Sequence, residues 1–208
     1  MNKTIIQIFI IFAFLLLQFG CDNCNTTDEG DFKLTNEDLH LVPYNGTETL
    51  IFKNQAGDSV VFYGAGRHSD LDQRYRSCDY NTDCCDFVYY IEIERTIFAA
   101  SNNSRIYFRL ERERESFNNF GISIKCSDNL FLNFSESFKF NSNNIYCPTN
   151  SLIVTNDTLT IAGKEFYSVY ELKGTSNSAP DLPIVYYSLT QGIVGFKTIE
   201  NVEWCLSN

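Results

Sequence analysis

Asp79, Asn81 and Asp83 alternate along the stretch Asp79-Tyr-Asn-Thr-Asp83, and Asp86 follows three residues later. Oxygen side chains spaced this way are the ligand chemistry of a hard cation, since Ca²⁺ gathers about six to eight oxygens from a short loop. The EF-hand spacing itself is broken: Cys84 stands where the sixth-position glycine belongs, and Tyr90 where the closing glutamate would be. Asp70 and Asp72 lie nearby and could complete a different cage. The plain alternative is an acidic turn in water, and any calcium held here would be structural rather than catalytic.

Acid–base chemistry has little to draw on. His40 and His68 are the two imidazoles, the side chains that titrate near neutrality. His68 sits in Gly64-Ala-Gly-Arg-His-Ser69 beside a hydroxyl, but adjacent residues on an extended chain point apart and nothing fixes an orienting acid. Gly64-Ala-Gly66 is too short to cradle a phosphate and precedes no helix. With 26 Asp and Glu in 208 residues, carboxylate pairs carry no information by themselves. No catalytic residue is assigned, and the chain is not expected to be an enzyme.

The eight cysteines are Cys21, Cys24, Cys78, Cys84, Cys85, Cys126, Cys147 and Cys205. Ahead of them, residues 1–20 carry one lysine, an apolar run broken by Gln7, and a small residue, Gly20, at the end; this is the pattern of a signal peptide, too short to span a bilayer comfortably. Export makes disulfides the default fate of the cysteines, with a zinc site the lesser reading. Cys78, Cys84, Cys85, Cys126, Cys147 and Cys205 are the disulfide candidates, in a pairing that sequence cannot choose. Adjacent Cys84 and Cys85 are expected to take different partners.

Gly20-Cys21 resembles the end of a bacterial lipoprotein signal, in which the cysteine thiol takes a diacylglyceryl group. That implies lipidation of Cys21 and leaves Cys24 as the odd thiol. Asp22, Asp28, Glu29 and Asp31 resemble the acidic stretch that directs some Bacteroidota lipoproteins outward. At the other end, Val185-Tyr-Tyr-Ser-Leu-Thr-Gln-Gly-Ile-Val-Gly-Phe-Lys197, closing on Glu203-Trp-Cys-Leu206, is similar to the C-terminal hairpin of uncharacterised Bacteroidota lipoproteins, which read YYSxxxGIVGF and end near a tryptophan. The resemblance implies an all-β fold and an envelope location, and no activity. An ordinary secreted protein is the competing reading, with N-x-S/T sequons at Asn25, Asn45, Asn102, Asn133 and Asn156.

The net charge of −10 repels phosphate backbones and anionic lipid, so nucleic acid is not an expected partner and any membrane attachment comes through the N-terminus. Phe (18) and Tyr (12) dominate the large side chains. Alternating with Ser, Thr and Asn, they suit strands joined by exposed turns. Residues 21–38 read as a flexible acidic tether, and 39–208 as a single β domain. Hairpins are expected from Glu48–Lys53 with Ser59–Tyr63, Phe87–Phe98 with Ile106–Leu110, and Phe120–Lys125 with Leu130–Phe134. Two more are expected from Leu159–Ala162 with Lys164–Leu172, and from Ile184–Leu189 with Ile193–Thr198. Glu203–Leu206 reads as a short edge strand. Gly64–Asp86 lacks either period and reads as a loop closed by disulfides, and 135–158 as a polar stretch. In the second hairpin Ile91, Ile93, Ile106, Phe108 and Leu110 are placed inward, with Glu92 and Glu94 outward near Arg109.

These expectations add up to an all-β, disulfide-stapled protein of nine to eleven strands, built as an antiparallel two-sheet sandwich or a strongly curved single sheet. The functional expectation is a cell-envelope lipoprotein, outer-membrane anchored, acting as a binding or structural module. Its β surface would meet a protein or glycan, with Tyr89, Tyr90, Tyr186 and Tyr187 as candidate stacking rings. A carboxylate-based hydrolase of envelope glycan or peptide and a carrier of lipid or another hydrophobic ligand are the alternatives.

Overall fold

The computed structural model describes residues 26–79, 84–101, 103–112, 118–125, 133–141, 144–146, 153–173 and 183–207. Its strands are β1 (Thr27–Phe32), β2 (Thr49–Asn54), β3 (Ser59–Asp79), β4 (Cys84–Ala99), β5 (Arg105–Glu111), β6 (Asn118–Lys125), β7 (Asn133–Asn141), β8 (Asn144–Tyr146), β9 (Ile153–Ile161), β10 (Lys164–Lys173), β11 (Ile184–Ser188), β12 (Gly192–Lys197) and β13 (Glu203–Leu206), with one short helix, α1 (Asn36–Leu39). Among the described residues these strands make one antiparallel sheet in the order β8-β7-β6-β5-β4-β3-β2-β13-β12-β11-β10-β9, with β1 pairing to β4. The single curved sheet is therefore the architecture, not the sandwich.

The chain clusters into two compact units, Met1–Gly30 with Gln73–Tyr90, and Asp31–Asp72 with Ile91–Asn208. The larger unit is a strongly curled half-barrel. Its core follows from period-two alternation. Ile106, Phe108 and Leu110 lie opposite Ile124, Ile122 and Phe120 in register, and all six are buried. Phe52, Phe62, Phe98, Phe138, Phe196 and Tyr187 complete a packed aromatic interior, with Phe52 edge-on to Phe62 at 5.9 Å. Each such ring contributes roughly 2–3 kcal/mol by leaving water.

Turn chemistry fixes the hairpins. Between β2 and β3, Asn54 and Asp58 bond each other across the turn (Asn54 Nδ2 to Asp58 Oδ2 2.9 Å; Asp58 N to Asn54 Oδ1 2.9 Å). Between β9 and β10, Ala162 and Gly163 both take left-handed φ (46° and 87°), the pair that matches strand twist in a two-residue turn. The five expected hairpins are present, the third with β7 starting at Asn133.

Four expectations are corrected. Gly64–Asp86 is not a loop: β3 runs from Ser59 to Asp79 and β4 starts at Cys84. This part of β3 is rich in charge because its side chains meet water and one another, so no apolar face marks it. Much of the 135–158 stretch is strand, in β7, β8 and the start of β9. β13 is not an edge but lies between β12 and β2, where Trp204 opposes both Phe196 and Asn54. The acidic stretch expected as tether holds β1 and α1. A capping box nucleates the helix: Asp38 N donates to Thr35 Oγ1 (3.2 Å) and Thr35 N to Asp38 Oδ2 (2.7 Å).

In the smaller unit, Cys78 and Cys85 form a disulfide that joins β3 to β4. Arg76 lies 4.4 Å over the Phe87 ring and reaches Glu29 at 3.0 Å, while Thr26 Oγ1 donates to the Cys85 carbonyl at 3.0 Å. Cys205 is a free thiol, contrary to its place in the disulfide set, because β13 is buried and puts it among Ile161, Phe166, Val169, Tyr186 and Val194. Cys21, Cys24, Cys126 and Cys147 lie outside the described residues, as does the side chain of Cys84. Iodoacetamide is expected to leave the Cys205 peptide unmodified in the folded protein and to alkylate it fully in denaturant, as read by peptide mass spectrometry.

Candidate functional site

Two clefts flank the turn at residues 189–191 that joins β11 to β12. The first, about 800 Å³, lies between this turn and the segment from α1 to Asn45, with Arg67 at its floor. That segment buries Leu41, Val42 and Tyr44 in the core and is fastened further by polar groups. Arg67 donates through Nη1 to the Tyr44 carbonyl (2.9 Å) and the Val42 carbonyl (3.5 Å), and through Nη2 to the Leu39 carbonyl (3.5 Å); its Nε meets the buried carboxylate of Glu94. Burial lowers the Arg67 pKa, partly countered by the field of Glu48. The Tyr187 hydroxyl donates to the Leu41 carbonyl, and the Tyr44 hydroxyl accepts from Ile193 N at 2.7 Å. Asp38 accepts from Arg112 Nη1 at 3.1 Å. The guanidinium is thus engaged inside the fold, and this wall is architecture rather than an anion site.

Glycines permit the close approaches that this fastening needs. Gly64 N donates to Glu48 O (2.8 Å) and Gly66 N to Gly46 O (2.9 Å), and a Cβ on Gly46 would sit 2.6 Å from the Gly66 carbonyl carbon. Gly64-Ala-Gly66 is therefore no phosphate cradle but a place where two backbones touch.

Burial pushes the Tyr44 and Tyr187 hydroxyls above the ordinary phenol range; the Ile193 amide opposes this for Tyr44, and the field of Tyr44 adds to it for Tyr187. Unfolded tyrosine ionises near pH about 10, whereas the folded protein holds these protons to higher pH. Their contribution is therefore intact below about pH 10 and is lost above it, as the unfolded chain alone releases protons. The urea midpoint is expected to stay level through neutral pH and to drop above about pH 10, less steeply in Tyr44→Phe or Tyr187→Phe than in the parent.

The second cleft, about 690 Å³, opens where β10 leaves β11. Their pairing ends at Val169 opposite Ser188, so Lys164–Ser168 of β10 continues along β9 alone. Ser168 takes φ 53° within the strand. A left-handed residue interrupts the alternation of faces, so Phe166 and Val169, three apart, are buried in one cluster, while Leu172 is buried in the other. Phe166 and Val169 share the small apolar cluster with Ile161 and Tyr186, on the sheet face opposite Tyr187. The β9–β10 tip folds over β13: Ala162 N donates to Glu203 Oε2 (3.3 Å) and Lys164 Nζ to the Leu206 carbonyl (2.8 Å), with Nζ 5.1 Å from the Phe166 ring centre. Tyr167 is left 67 % exposed at the rim. The same cleft is lined by Gln191 and by the paired hydroxyls of Ser188 and Thr190, 3.1 Å apart.

The residues singled out from sequence fare unevenly. Tyr186 and Tyr187 are both buried and are not outward stacking rings; the sheet is covered on both faces there. Tyr89 and Tyr90 are half-buried. Of the calcium set, Asp86 is exposed, while Asn81, Asp83 and the Asp79 side chain lie outside the described residues; among the described residues no cluster of three metal-ligating side chains occurs. Asp70 pairs with Arg95. His68 and Ser69 do not form a couple: Ser69 Oγ donates to Glu92 Oε1 (2.6 Å), whose other oxygen accepts from Leu34 N (2.9 Å). Glu94, placed outward by sequence, lies opposite Leu110 on the core face, and Arg109 bonds Glu111. Tyr167 is legible in the sequence only as one strand residue among several, because nothing there marks the left-handed Ser168.

Comparison of the chain with protein-family models, with curated proteins and with solved structures finds no match.

Proposed function

We propose that this chain is an exported binding module of the cell envelope, anchored through lipid on Cys21, and that its ligand enters the cleft beside Tyr167. The observation that carries the binding role is that cleft: a space of about 690 Å³ lined by a largely exposed aromatic ring together with hydroxyl and carboxamide groups. Such a space is in the size range of small-ligand sites, which lie at about 300–1,000 Å³. Export is supported by the leader at 1–20 and by the Cys78–Cys85 disulfide, a bond that persists in oxidising compartments.

A binding role is favoured over the two alternatives by where side chains already stand. The apolar groups that a carrier would wrap around its ligand are packed on one another, as with the buried rings of Phe52, Phe108, Phe120 and Tyr187. Four of the described carboxylates are already engaged in the fold: Asp38 with Arg112, Asp70 with Arg95, Glu94 with Arg67, and Glu92 with Leu34 and Ser69. The test is co-sedimentation of the detergent-extracted protein with insoluble envelope polymer from its own host. The parent protein is expected to pellet with the polymer and Tyr167→Ala to remain in the supernatant. Equal pelleting of the two overturns the assignment of the cleft.

A further inference from the structure

Resting on the reading that the Tyr167 cleft binds a ligand, we infer that the ligand is a neutral oligosaccharide, held by stacking on Tyr167 and by hydrogen bonds to the groups around Gln191 and Thr190. Four observations lead there.

The first is the pairing of surfaces. A pyranose presents an apolar face of C–H groups and a rim of hydroxyls. It is matched by a flat ring with access to solvent, set against groups that both donate and accept. Tyr167 supplies the ring at 67 % exposure. Thr190 and Gln191, both exposed, supply groups of the second kind, and Ser188, buried behind them, holds Thr190 in place.

The second is charge. Among the described residues, the one ammonium on the cleft, Lys164, is committed to the Leu206 carbonyl and the Phe166 ring. Glu165 is the one carboxylate among the described residues that line it. In a chain of net charge −10 this leaves nothing to attract an anionic polymer, so acidic glycans and phosphate-bearing polymers are disfavoured.

The third is backbone geometry. An extended peptide would bind by adding a strand to the free side of Lys164–Ser168. That edge is five residues long and ends in Ser168 at φ 53°, which turns the next donor and acceptor out of line. Strand addition therefore has no regular ladder to extend, whereas a sugar needs none.

The fourth is the strain itself. A serine in the left-handed region within a strand is uncommon, and such residues persist where the surroundings enforce them, often at ligand sites. Here the conformation buries Phe166 beneath the cleft and leaves the neighbouring Tyr167 ring at its rim.

Saturation-transfer NMR on the full detergent-solubilised chain tests this with four probes: maltotetraose, cellotetraose, tetra-N-acetylchitotetraose and a blocked Thr-Val-Thr-Val peptide. At least one saccharide is expected to receive saturation, strongest at its ring C–H protons, and to shift the Gln191 side-chain amide signals. Tyr167→Ala is expected to weaken that saccharide about tenfold or more, while Tyr167→Trp keeps it within about threefold. Both substitutions are at an exposed position, and unchanged urea midpoints will show that the fold is intact. Binding of the peptide alone, with a Tyr167→Ala loss, overturns the saccharide assignment and leaves the binding cleft standing. Saccharide binding that Tyr167→Ala does not weaken, or no saccharide binding while the protein still pellets with envelope polymer, also overturns it. If the protein pellets with nothing, the functional reading itself fails, separately from the ligand class.

Discussion

Gly192→Ala is expected to destabilise the protein by about 3–5 kcal/mol, enough to unfold most marginally stable domains at 37 °C. Two separate effects add. Gly192 has φ 76°, where a Cβ costs on the order of 1 kcal/mol. That Cβ would also fall on the hydroxyl end of Tyr44. Tyr44 has no room to retreat: it is buried, its ring packs edge-on to Phe98 at 5.0 Å and tilted against Phe108 at 5.2 Å, and its hydroxyl holds Ile193 N. Gly163→Ala separates the two effects. Gly163 has a similar φ of 87° but nothing within 4 Å of the added Cβ, so it should lose only about 1 kcal/mol. Urea midpoints of the two variants give the steric part as their difference.

The second large effect is expected at Arg67 and Glu94. Arg67→Met strands the Glu94 carboxylate in the core and removes the donors that hold the carbonyls of Leu39, Val42 and Tyr44. Breaking one partner of a buried pair destabilises by about 3–5 kcal/mol, because the remaining charge stays desolvated. Glu94→Leu alone should lose less, since Arg67 is partly solvated and keeps its carbonyl partners. In Arg67→Met/Glu94→Leu the orphaned carboxylate is gone, so the double variant should be more stable than Arg67→Met. A double variant as unstable as the sum of the two singles would mean that the pair is not coupled.

What the sequence shows of this fold depends on whether burial follows a period. Ile106, Phe108 and Leu110 alternate with Tyr107 and Arg109, and that strand and its partners are legible because one face is wholly apolar. The distal part of β3 is not, since Arg67, Ser69 and Asp70 make polar contacts instead of burying an apolar face. Glu94 reads as a solvent residue by alternation with Ile91 and Ile93. A cation on the neighbouring strand, about 90 Å away along an extended chain and beyond any local pattern, lets it face the core. The Tyr-Tyr-Ser…Gly-Ile-Val-Gly-Phe stretch looks like a family mark in the sequence. In the fold its residues pack: Tyr187 ties down Leu41, Gly192 makes room for Tyr44, and Gly195 lies under Ile161 and against the Trp204 carbonyl. The candidate cleft is least legible, because it depends on one backbone angle at Ser168 and on a hairpin tip that folds over a distant strand.

A binding module with a small cleft acts where it is held, so the proposed anchor is central to the whole reading. The most direct measurement is the intact, non-reduced mass of the protein extracted by detergent from its native host, with fragmentation of its N-terminal peptide. A chain that begins at Cys21 and carries diacylglycerol on that thiol is the expected result. A chain with a free, unlipidated N-terminus after removal of the leader would contradict it.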